Sequence, residues 1–296
     1  MTEKAEAVLR AESFMRKQLV LAGMEKIMKL CSLASGSSGN CTFVGSSHAN
    51  ILVDAGVSGK KIEYGLSCID VKPADLEGIL ITHEHSDHIQ GIGVLARRYH
   101  TPIYGTKETL QAISRMKNMG DIPSELFRPV LPDEGFYISD ILVEPFSTSH
   151  DAVNPVCYTF TSEGHKIGMA TDLGVYDDYI ISKLSGSEIL LMEANHDENM
   201  LLAGAYPYYL KQRILGERGH LSNENSGRLI GRILHDKICH ITLAHLSKEN
   251  NFEDLAYETV RLELNKVISD NAYSLKTDSL LSVAKRDVPS EMLCTV

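Results

Sequence analysis

The sequence predicts an α/β protein in which two β-sheets pack face to face and helices cover their outer surfaces. Strand-like segments are concentrated in the first and middle parts of the 296-residue chain, and helical segments lie between and after them. The run Gly78–Thr82 is continuously apolar rather than alternating, which is typical of a strand buried on both faces. Such sheets need cover on both sides, so we expect one sheet against the other and helices outside.

The predicted elements follow one another in an order that fits this arrangement. Turn-rich residues 35–40 separate early strands, residues 127–171 form a β-rich middle, and helices and strands alternate afterwards. The predicted strands are 27–34, 41–45, 50–55, 78–82, 188–193, 239–244 and one near 280–285, and the predicted helices are 58–67, 89–99, 106–118, 176–184, 206–215, 222–235 and 252–268.

The composition of the chain indicates its domain organisation and its cellular compartment. Residues 1–23 are rich in Glu, Lys and Ala and are expected to be an N-terminal extension, helical or loosely ordered, before a single domain over residues 24–296. No apolar run is long enough to span a membrane or to form a signal-peptide core. The six cysteines show no CxxC spacing and are expected to be small buried hydrophobic residues in a reducing compartment. We therefore expect a cytoplasmic protein without membrane binding, and its oligomeric state stays open.

Residues 83–88 read His-Glu-His-Ser-Asp-His and directly follow the apolar run. Three imidazoles and a carboxylate on one short loop are ligands that divalent cations prefer, and a buried strand holds such a loop rigidly. Three further residues of ligand type close later strand-like runs, namely His150, Asp172 and His245. Each of these alone is more often a cap or turn residue, so their order after the first loop carries the argument.

That order resembles the motif of the metallo-β-lactamase superfamily, and the resemblance covers roughly residues 27–285. It implies an αββα four-layer sandwich, with two mixed β-sheets flanked by helices and the metals at one edge between the sheets. It also implies which residues bind metal: one ion is held by His83, His85 and His150, the other by Asp87, His88 and His245, and Asp172 bridges them.

The ligand chemistry also favours two divalent ions rather than one. Seven ligands are too many for one tetrahedral zinc, and a shared carboxylate can hold two ions about 3.5–4 Å apart. Such a pair lowers the pKa of bound water to about 7 and polarises a phosphoryl or carbonyl oxygen, so the predicted reaction is metal-assisted hydrolysis. Zinc is the expected metal, and manganese and iron also accept these ligand types.

A second group of motifs resembles the tRNase Z side of the superfamily. It comprises Glu-Ala-Asn at 193–195, Gly-His-Leu-Ser at 219–222 and His-Leu-Ser at 245–247, with Asn195 where that family has Thr. The resemblance implies that Glu193 orients His220 and that His220 is the general acid, so the expected catalytic residues are Asp87, Glu193 and His220. The alternative for His220 is a structural neighbour of a helix N-cap.

The intervals between ligands distinguish this chain from larger nucleases of the superfamily. The segment between His150 and Asp172 is too short for the tRNA-gripping arm of tRNase Z, and the segment between Asp172 and His245 is too short for the β-CASP domain. The motifs at 31–40, 217–223 and 244–251 resemble the compact YycJ (WalJ)-type subgroup. That resemblance implies a 5′–3′ exonuclease on double-stranded DNA with roles in repair.

The charge of the chain limits how DNA can be bound. The net charge of −10 argues against a general nucleic-acid surface, and the lack of Trp with 6% aromatic residues argues against a stacking platform for tight single-strand binding. A local basic rim is expected from Lys211, Arg213, Arg218, Arg228, Arg232 and Lys248, with a solvated helix face as the alternative. Binding to DNA should then be modest and salt-dependent.

The expected phosphate contacts come from two places in the sequence. Ser37, Ser38 and Asn40 lie in the turn-rich loop at 35–40, whose backbone N–H groups can form an anion nest, although such loops are often plain turns. Arg218 and Ser222 flank His220.

Other functions fit parts of this pattern. A small-molecule hydrolase of the same fold, acting on a lactone, thioester or lactam, would need an apolar pocket and no proton relay at His220. Di-iron proteins that reduce oxygen or nitric oxide typically have Glu in the first motif, where His85 stands here. A non-catalytic signalling partner is disfavoured by the complete ligand set.

Overall fold

Residues 27–271 and 273–296 are described in a computed structural model of the chain. The extension predicted for residues 1–23 and the predicted start of the domain at Met24 lie outside these residues. Within them, every helix is too short or too polar to cross a membrane.

The first sheet has seven strands and is antiparallel on one side and parallel on the other. Its strands are β1 (Lys29–Ala34), β2 (Cys41–Gly45), β3 (Asn50–Val53), β4 (Gly78–Leu80), β5 (Ile103–Thr106), β6 (Phe127–Val130) and β14 (Leu293–Cys294). They lie in the order β14-β1-β2-β3-β4-β5-β6. Pairing is antiparallel from β14 to β3 and parallel from β3 to β6.

The second sheet repeats this plan with the remaining seven strands. They are β7 (Phe136–Ile138), β8 (Ile141–Ser147), β9 (Val156–Ser162), β10 (His165–Ala170), β11 (Ile189–Glu193), β12 (His240–Ala244) and β13 (Leu281–Val283). The order is β13-β12-β11-β10-β9-β8-β7. Pairing is antiparallel from β7 to β10 and parallel from β10 to β13, so β8, β10, β11 and β12 all run in one direction.

Helices cover the outer face of each sheet. Those that follow strands of the first sheet are α1 (Gly59–Cys68), α2 (Ser86–Ile89), α3 (Ile92–Tyr99) and α4 (Lys107–Ser114). Those of the second half are α5 (Asp178–Leu184), α6 (Glu198–Ala203), α7 (Tyr208–Leu215), α8 (Asn223–Ile233), α9 (Glu253–Asn271) and α10 (Thr277–Leu280).

Three apolar clusters correspond to the three interfaces of a four-layer sandwich. Between the sheets, residues such as Ile51 and Leu80 of the first sheet pack with Tyr158 and Leu191 of the second. A second cluster joins the first sheet to α1, α3 and α4, and a third joins the second sheet to α5, α8 and α9. Burial of these side chains stabilises the fold by about 1.5–3 kcal/mol for each large residue. The predicted fold class, two mixed sheets flanked by helices, is confirmed.

Several element boundaries differ from those predicted. The strand predicted at 78–82 ends at Leu80, because the chain turns into the histidine loop. The helix predicted at 89–99 is divided into α2 and α3 at residues 90–91. Strands β5 and β14 and helix α6 were not predicted, since each is short and has little periodicity of its own.

Candidate metal centre

The ends of five strands place the chemistry-bearing residues at one edge of the sandwich. His83, His85, Asp87 and His88 follow β4, and His150 follows β8. Asp172 follows β10, His245 follows β12, and Glu193 is the last residue of β11. These four strands of the second sheet run in one direction, so their carboxyl ends meet at a common edge.

The backbone is held in an unusual conformation where three of the strands end. Asp54, after β3, has φ 61°, Asp172 has φ 60° and His245 has φ 57°. Positive φ is uncommon for residues with a Cβ and is found at functional sites where the surrounding structure imposes it. In each case it turns an acidic or imidazole side chain into the edge of the sandwich directly after an apolar strand.

Two triads of ligand atoms lie within metal-binding distance of one another. The ligand atoms of His83, His85 and His150 lie within 4.8 Å of one another, and so do those of Asp87, His88 and His245. These are the two groups that the sequence predicts for separate ions. The geometry brings each group together, and the assignment of ions to them stays a prediction.

Asp172 lies between the two triads. Its Oδ1 is 3.6 Å from Nε2 of His150 in the first triad, and its Oδ2 is 3.4 Å from Nε2 of His88 in the second. A carboxylate that offers one oxygen to each side is the arrangement that a bridging ligand requires. Asp172 is only 2% exposed, so this carboxylate has little access to water.

The donor set fits divalent cations because its inner atoms lack other partners. Among the described residues, Nε2 of His83, Nε2 of His245 and Oδ2 of Asp172 are buried and have no hydrogen-bond partner. Leaving buried polar atoms unpaired costs about 1–3 kcal/mol each, which a bound cation would offset.

The outer nitrogens of the same imidazoles are held by hydrogen bonds. Nδ1 of His88 is 2.8 Å from Oδ2 of Asp54, and Nδ1 of His245 is 2.8 Å from Oε1 of Glu193. Nδ1 of His150 is 3.1 Å from the carbonyl of Gly219. Acceptors on Nδ1 fix the tautomer that leaves the Nε2 lone pair free, which is the usual support of metal-binding histidines.

The electrostatics keep two of these ligands in the forms that bind metal. Burial and the neighbouring imidazoles of His88 and His150 hold the pKa of His83 well below its ordinary value, so its ring is neutral. Burial would raise the pKa of Asp87, but the adjacent imidazoles of His245 and His88 outweigh it and hold that pKa below the ordinary value. A neutral imidazole and an ionised carboxylate are the forms required of ligands.

Glu193 links the predicted general acid to the metal cluster. Its Oε1 lies 2.8 Å from Nδ1 of His220 and 2.8 Å from Nδ1 of His245, while its Oε2 accepts hydrogen bonds from the backbone N–H groups of Leu173 and Leu221. The carboxylate is 0% exposed. Burial would raise the pKa of Glu193, but the His220 and His245 imidazoles hold it well below its ordinary value.

Sequence reasoning missed several residues at this edge. Asp54 closes β3 as the predicted ligands close their strands, and its Oδ1 also accepts from the backbone N–H of Thr82. Asp151, next to His150, lies 3.4 Å from Nε2 of that imidazole. The strand-end rule that identified His150 would have found Asp54 as well.

His196 was also missed, and no pattern in the sequence marks it. It is 1% exposed, and both of its ring nitrogens lack hydrogen-bond partners among the described residues. Burial lowers the pKa of His196 to about 4, so the ring is neutral at physiological pH. Its backbone forms a bridge with Ser222 beside the Glu193–His220 pair.

The residues predicted to contact phosphate fall into two groups. Ser37 and Ser38 are exposed at the tip of their loop, and the exposed Arg218 donates from Nε to the carbonyl of His150, 3.1 Å away. Asn40 is 9% exposed and its Nδ2 is 3.2 Å from Nε2 of His88, so this side chain faces the metal cluster.

Ser222 differs from the expectation. It is 2% exposed and its hydroxyl accepts from the N–H of Asn225 as the N-cap of α8, so the structure gives its side chain a capping role.

The basic rim is only partly assembled. On and just after α7, Arg213 pairs with Asp151 and Arg218 donates to the carbonyl of His150, so both reach the loop of that ligand residue. Lys211 instead donates to the carbonyl of Leu202. Arg232 instead forms an ion pair with Asp178 at the start of α5. Arg232 lies in the last turn of α8, at the end remote from Ser222, whereas Arg228 lies at the middle of the helix and donates from Nη1 to Oδ1 of Asn225, 3.3 Å away.

A four-layer αββα sandwich with a His/Asp cluster at the strand ends defines the class of protein. The family model of the β-lactamase superfamily domain matches residues 49–241, and the chain belongs to this superfamily. The cluster fits divalent metal binding in such a fold.

Curated relatives are similar over most of their length. The chain is 44% identical to exodeoxyribonuclease WalJ of Streptococcus pneumoniae serotype 2 (strain D39 / NCTC 7466) over 78% of this chain and 86% of the relative. It is 38% identical to exodeoxyribonuclease YycJ of Bacillus anthracis over 82% of this chain and 90% of the relative. Among solved structures, the metallo-β-lactamase fold protein YhfI from Bacillus subtilis has a TM-score of 0.64 at 18% identity, covering 89% of this chain and 99% of that one. This last likeness concerns the fold alone.

Proposed function

We propose that this chain is a dinuclear, metal-dependent DNA exonuclease that acts from the 5′ end of double-stranded DNA. The observation that carries the proposal is the Glu193–His220 pair, 2.8 Å apart and directly beside the ligand cluster. Hydrolysis of a phosphodiester needs a proton for the leaving oxygen, and an oriented imidazole next to the metals can supply it. The exonuclease names of the WalJ and YycJ relatives support DNA as the substrate.

The ligand set is proposed to hold two ions, with zinc as the expected metal. His83, His85 and His150 would hold one, Asp87, His88 and His245 the other, and Asp172 both. When bound, such a pair of ions lowers the pKa of water and polarises a phosphoryl oxygen. Thiolate ligands are not part of the cluster among the described residues, and the mixed imidazole and carboxylate set suits zinc, manganese or iron.

The chain's own residues supply positioning and the proton. Glu193 accepts from Nδ1–H of His220, so the proton for the leaving oxygen would come from Nε2–H of the doubly protonated ring. The side chain of His220 is 18% exposed, whereas that of Glu193 is 0% exposed, so the imidazole can meet a substrate that the carboxylate cannot reach. Arg218 and the exposed Ser37 and Ser38 are the proposed phosphate contacts at the rim.

The cellular setting is proposed from the thiols. Cys31, Cys41 and Cys157 are free and buried, which suits a reducing compartment, and we propose a cytoplasmic enzyme with a role in DNA repair. With a net charge of −10 on the chain, its affinity for DNA should be modest and should fall with added salt.

The test compares labelled duplex DNA with a panel of small substrates. Metal-loaded protein should release label from the 5′ end of end-labelled duplex and leave nitrocefin and a thioester intact. Asp172→Ala should lose bound metal and all nuclease activity. His220→Ala should keep the metal, and it should turn over DNA about 10²–10⁴-fold more slowly. Metal content is measured by mass spectrometry of the purified protein. Hydrolysis of the thioester or nitrocefin in place of DNA would contradict the proposal.

A further inference from the structure

We infer that Tyr209 and Arg213 on α7 form a binding face for the end of the DNA, in which Tyr209 stacks on a base close to the scissile phosphodiester. This inference rests on the proposed function. Helix α7 has no buried residue, and Tyr208 and Tyr209 are 76% and 73% exposed. Rings exposed to this degree contribute nothing to the core, so α7 presents two adjacent aromatic side chains that a partner can contact.

Arg213 attaches this helix to the metal centre. Its guanidinium forms an ion pair with Asp151, and Nη2 is 3.1 Å from Oδ1 of that carboxylate. The same Oδ1 is 3.4 Å from Nε2 of His150 and 4.0 Å from Nε2 of His85. One carboxylate therefore separates Arg213 from two of the proposed metal ligands.

The end of α7 also packs against the proposed general acid. The backbone N–H of His220 donates to the carbonyl of Ile214, 3.0 Å away. A Cβ at Gly219 would lie 2.1 Å from that carbonyl oxygen, so this close approach requires glycine. At about 1.5 Å per residue, Tyr209 lies about 7–8 Å along the helix axis from Ile214, which is roughly two base steps of a DNA strand.

Charge complementarity selects a nucleic acid as the occupant of this face. Tyr209 and Arg213 are four residues apart in the helix and so share one face. The ammonium group of Lys211 and the guanidinium of Arg218 are bonded to backbone carbonyls, and neither forms an ion pair with a carboxylate within residues 27–271 and 273–296. Arg213 is itself paired with Asp151, whereas Arg218, which donates to the carbonyl of His150, has no carboxylate partner among the described residues. An exposed aromatic ring on the helix that leads to such a cation can bind a base while the cation binds a phosphate.

The composition of the chain predicts no aromatic stacking platform, in contrast to this inference. The absence of Trp and the 6% aromatic content argued against a stacking platform, but composition does not report where aromatic residues lie. Ala-Tyr-Pro-Tyr-Tyr at 205–209 is the local signal, because Pro207 caps α7 and places both tyrosines in its first turn.

The test uses the absence of Trp from the chain. Tyr209→Trp introduces an indole whose fluorescence is quenched when it stacks on a base. Tyr137→Trp is the matched control, since Tyr137 is 70% exposed on β7, the edge strand of the second sheet. Metal-loaded protein is titrated with duplex DNA whose ends carry phosphorothioate linkages that resist cleavage. We expect quenching for Tyr209→Trp and unchanged emission for Tyr137→Trp.

Affinity gives a second and independent readout. Tyr209→Ala should raise the dissociation constant for the same duplex about 5- to 150-fold, the equivalent of one stacked base. Tyr209→Phe, which keeps the ring, should restore most of the affinity, and Tyr137→Ala should bind as the wild type does. The salt dependence should be the same for Tyr209→Ala and wild type, because no charge is removed.

Three results distinguish a failure of the proposed function from a failure of the proposed binding face. Wild-type protein that leaves DNA intact would overturn the proposed function itself. Wild-type protein that degrades DNA while Tyr209→Ala binds it equally well would overturn only the binding face. A dimer that Tyr209→Ala converts to a monomer in sedimentation, with DNA affinity unchanged, would assign the face to a second copy of the chain and overturn the inference.

Discussion

Glu193 is the residue at which the proposed metal ligands and the proposed general acid meet. One of its oxygens serves both the predicted acid and a predicted metal ligand, and its other oxygen accepts two backbone N–H groups. All four neighbours therefore act as donors toward a carboxylate that is removed from water. An ionised carboxylate satisfies four donors, and few other side chains of this size can.

Glu193→Gln should therefore weaken both functions. An amide has only one acceptor oxygen, so its NH2 group would face either two backbone donors or two imidazoles. We expect metal affinity to fall about 10- to 100-fold, as for other outer partners of metal ligands, with a loss of DNA turnover. Metal affinity is measured by competition with a chelating dye.

A matched control is available on the same sheet. Oε2 of Glu188 lies 2.9 Å from Nδ1 of His165. Glu188→Gln therefore removes a similar carboxylate–imidazole pair away from the cluster. Its metal affinity should equal that of the wild type. Equal metal affinity in Glu193→Gln and Glu188→Gln would show that Glu193 does not support the metal centre.

At this scale the sequence predicted residue types better than contacts. The loop at 83–88 and the three later strand ends contain the ligand types that the structure brings together. The sharing of Glu193 between two imidazoles, and the support of His88 by Asp54, depend on residues that are distant in the chain. Only the packing of β3, β11 and β12 places those side chains in contact.

At the scale of single elements, α8 connects the fold to the site. It begins at Asn223, three residues after His220, its N-cap is Ser222, and its buried face packs against α9. The Ser222 hydroxyl accepts from the N–H of Asn225 at 3.3 Å. Because this cap is 2% exposed, water cannot replace the lost hydrogen bond easily.

Ser222→Ala should lower stability by about 1 kcal/mol, within the range for N-caps of about 0.5–2 kcal/mol. For a domain of this size the midpoint of thermal unfolding should fall by about 2–4 °C, measured by calorimetry. Ser58→Ala is the control, since Ser58 caps α1 from an exposed position and water can take its place. A loss of DNA affinity in Ser222→Ala at unchanged stability would instead support a phosphate contact.

Element boundaries show where sequence patterns carry too little information. Strand β5 has only the residues Ile103–Thr106, and its pairing with β4 and β6 comes from neighbours distant in the chain. Strand β14 has two residues and forms because β1 offers an open edge. Long amphipathic elements such as α8 and α9 were predicted within a few residues, since their periodicity is local.

At the scale of the whole molecule, the order of strands and helices was sufficient to predict the four layers. The sheets mirror each other, with antiparallel strands on one side and parallel strands on the other. The sequence did not predict which strands are neighbours, because those pairings join segments far apart in the chain. The single domain over residues 24–296 stays a prediction.

Whole-fold packing also determines how the thiols should react. Burial raises the pKa of Cys31 to about 11, and burial raises the pKa values of Cys41 and Cys157 further, so little thiolate is present at pH 8. Cys68 is exposed at the end of α1. With a disulfide reagent at pH 8, Cys68 should react quickly and the three buried thiols only on unfolding.

The reaction is followed by absorbance, and Cys68→Ser should remove the fast phase. Reaction of the buried thiols at the rate seen in denaturant would indicate that the sandwich opens readily. This would contradict the tight packing of the two clusters that contain them.

The shared oxygen of Glu193 has a consequence for how this family can diversify. A lineage that came to favour a larger cation would have to shift His245 outward, and Glu193 would move with it. The same displacement would rotate His220 away from the leaving oxygen that it is proposed to protonate. Metal preference and reaction rate are thus expected to change together during evolution. Relatives that prefer another metal should carry compensating substitutions around this carboxylate.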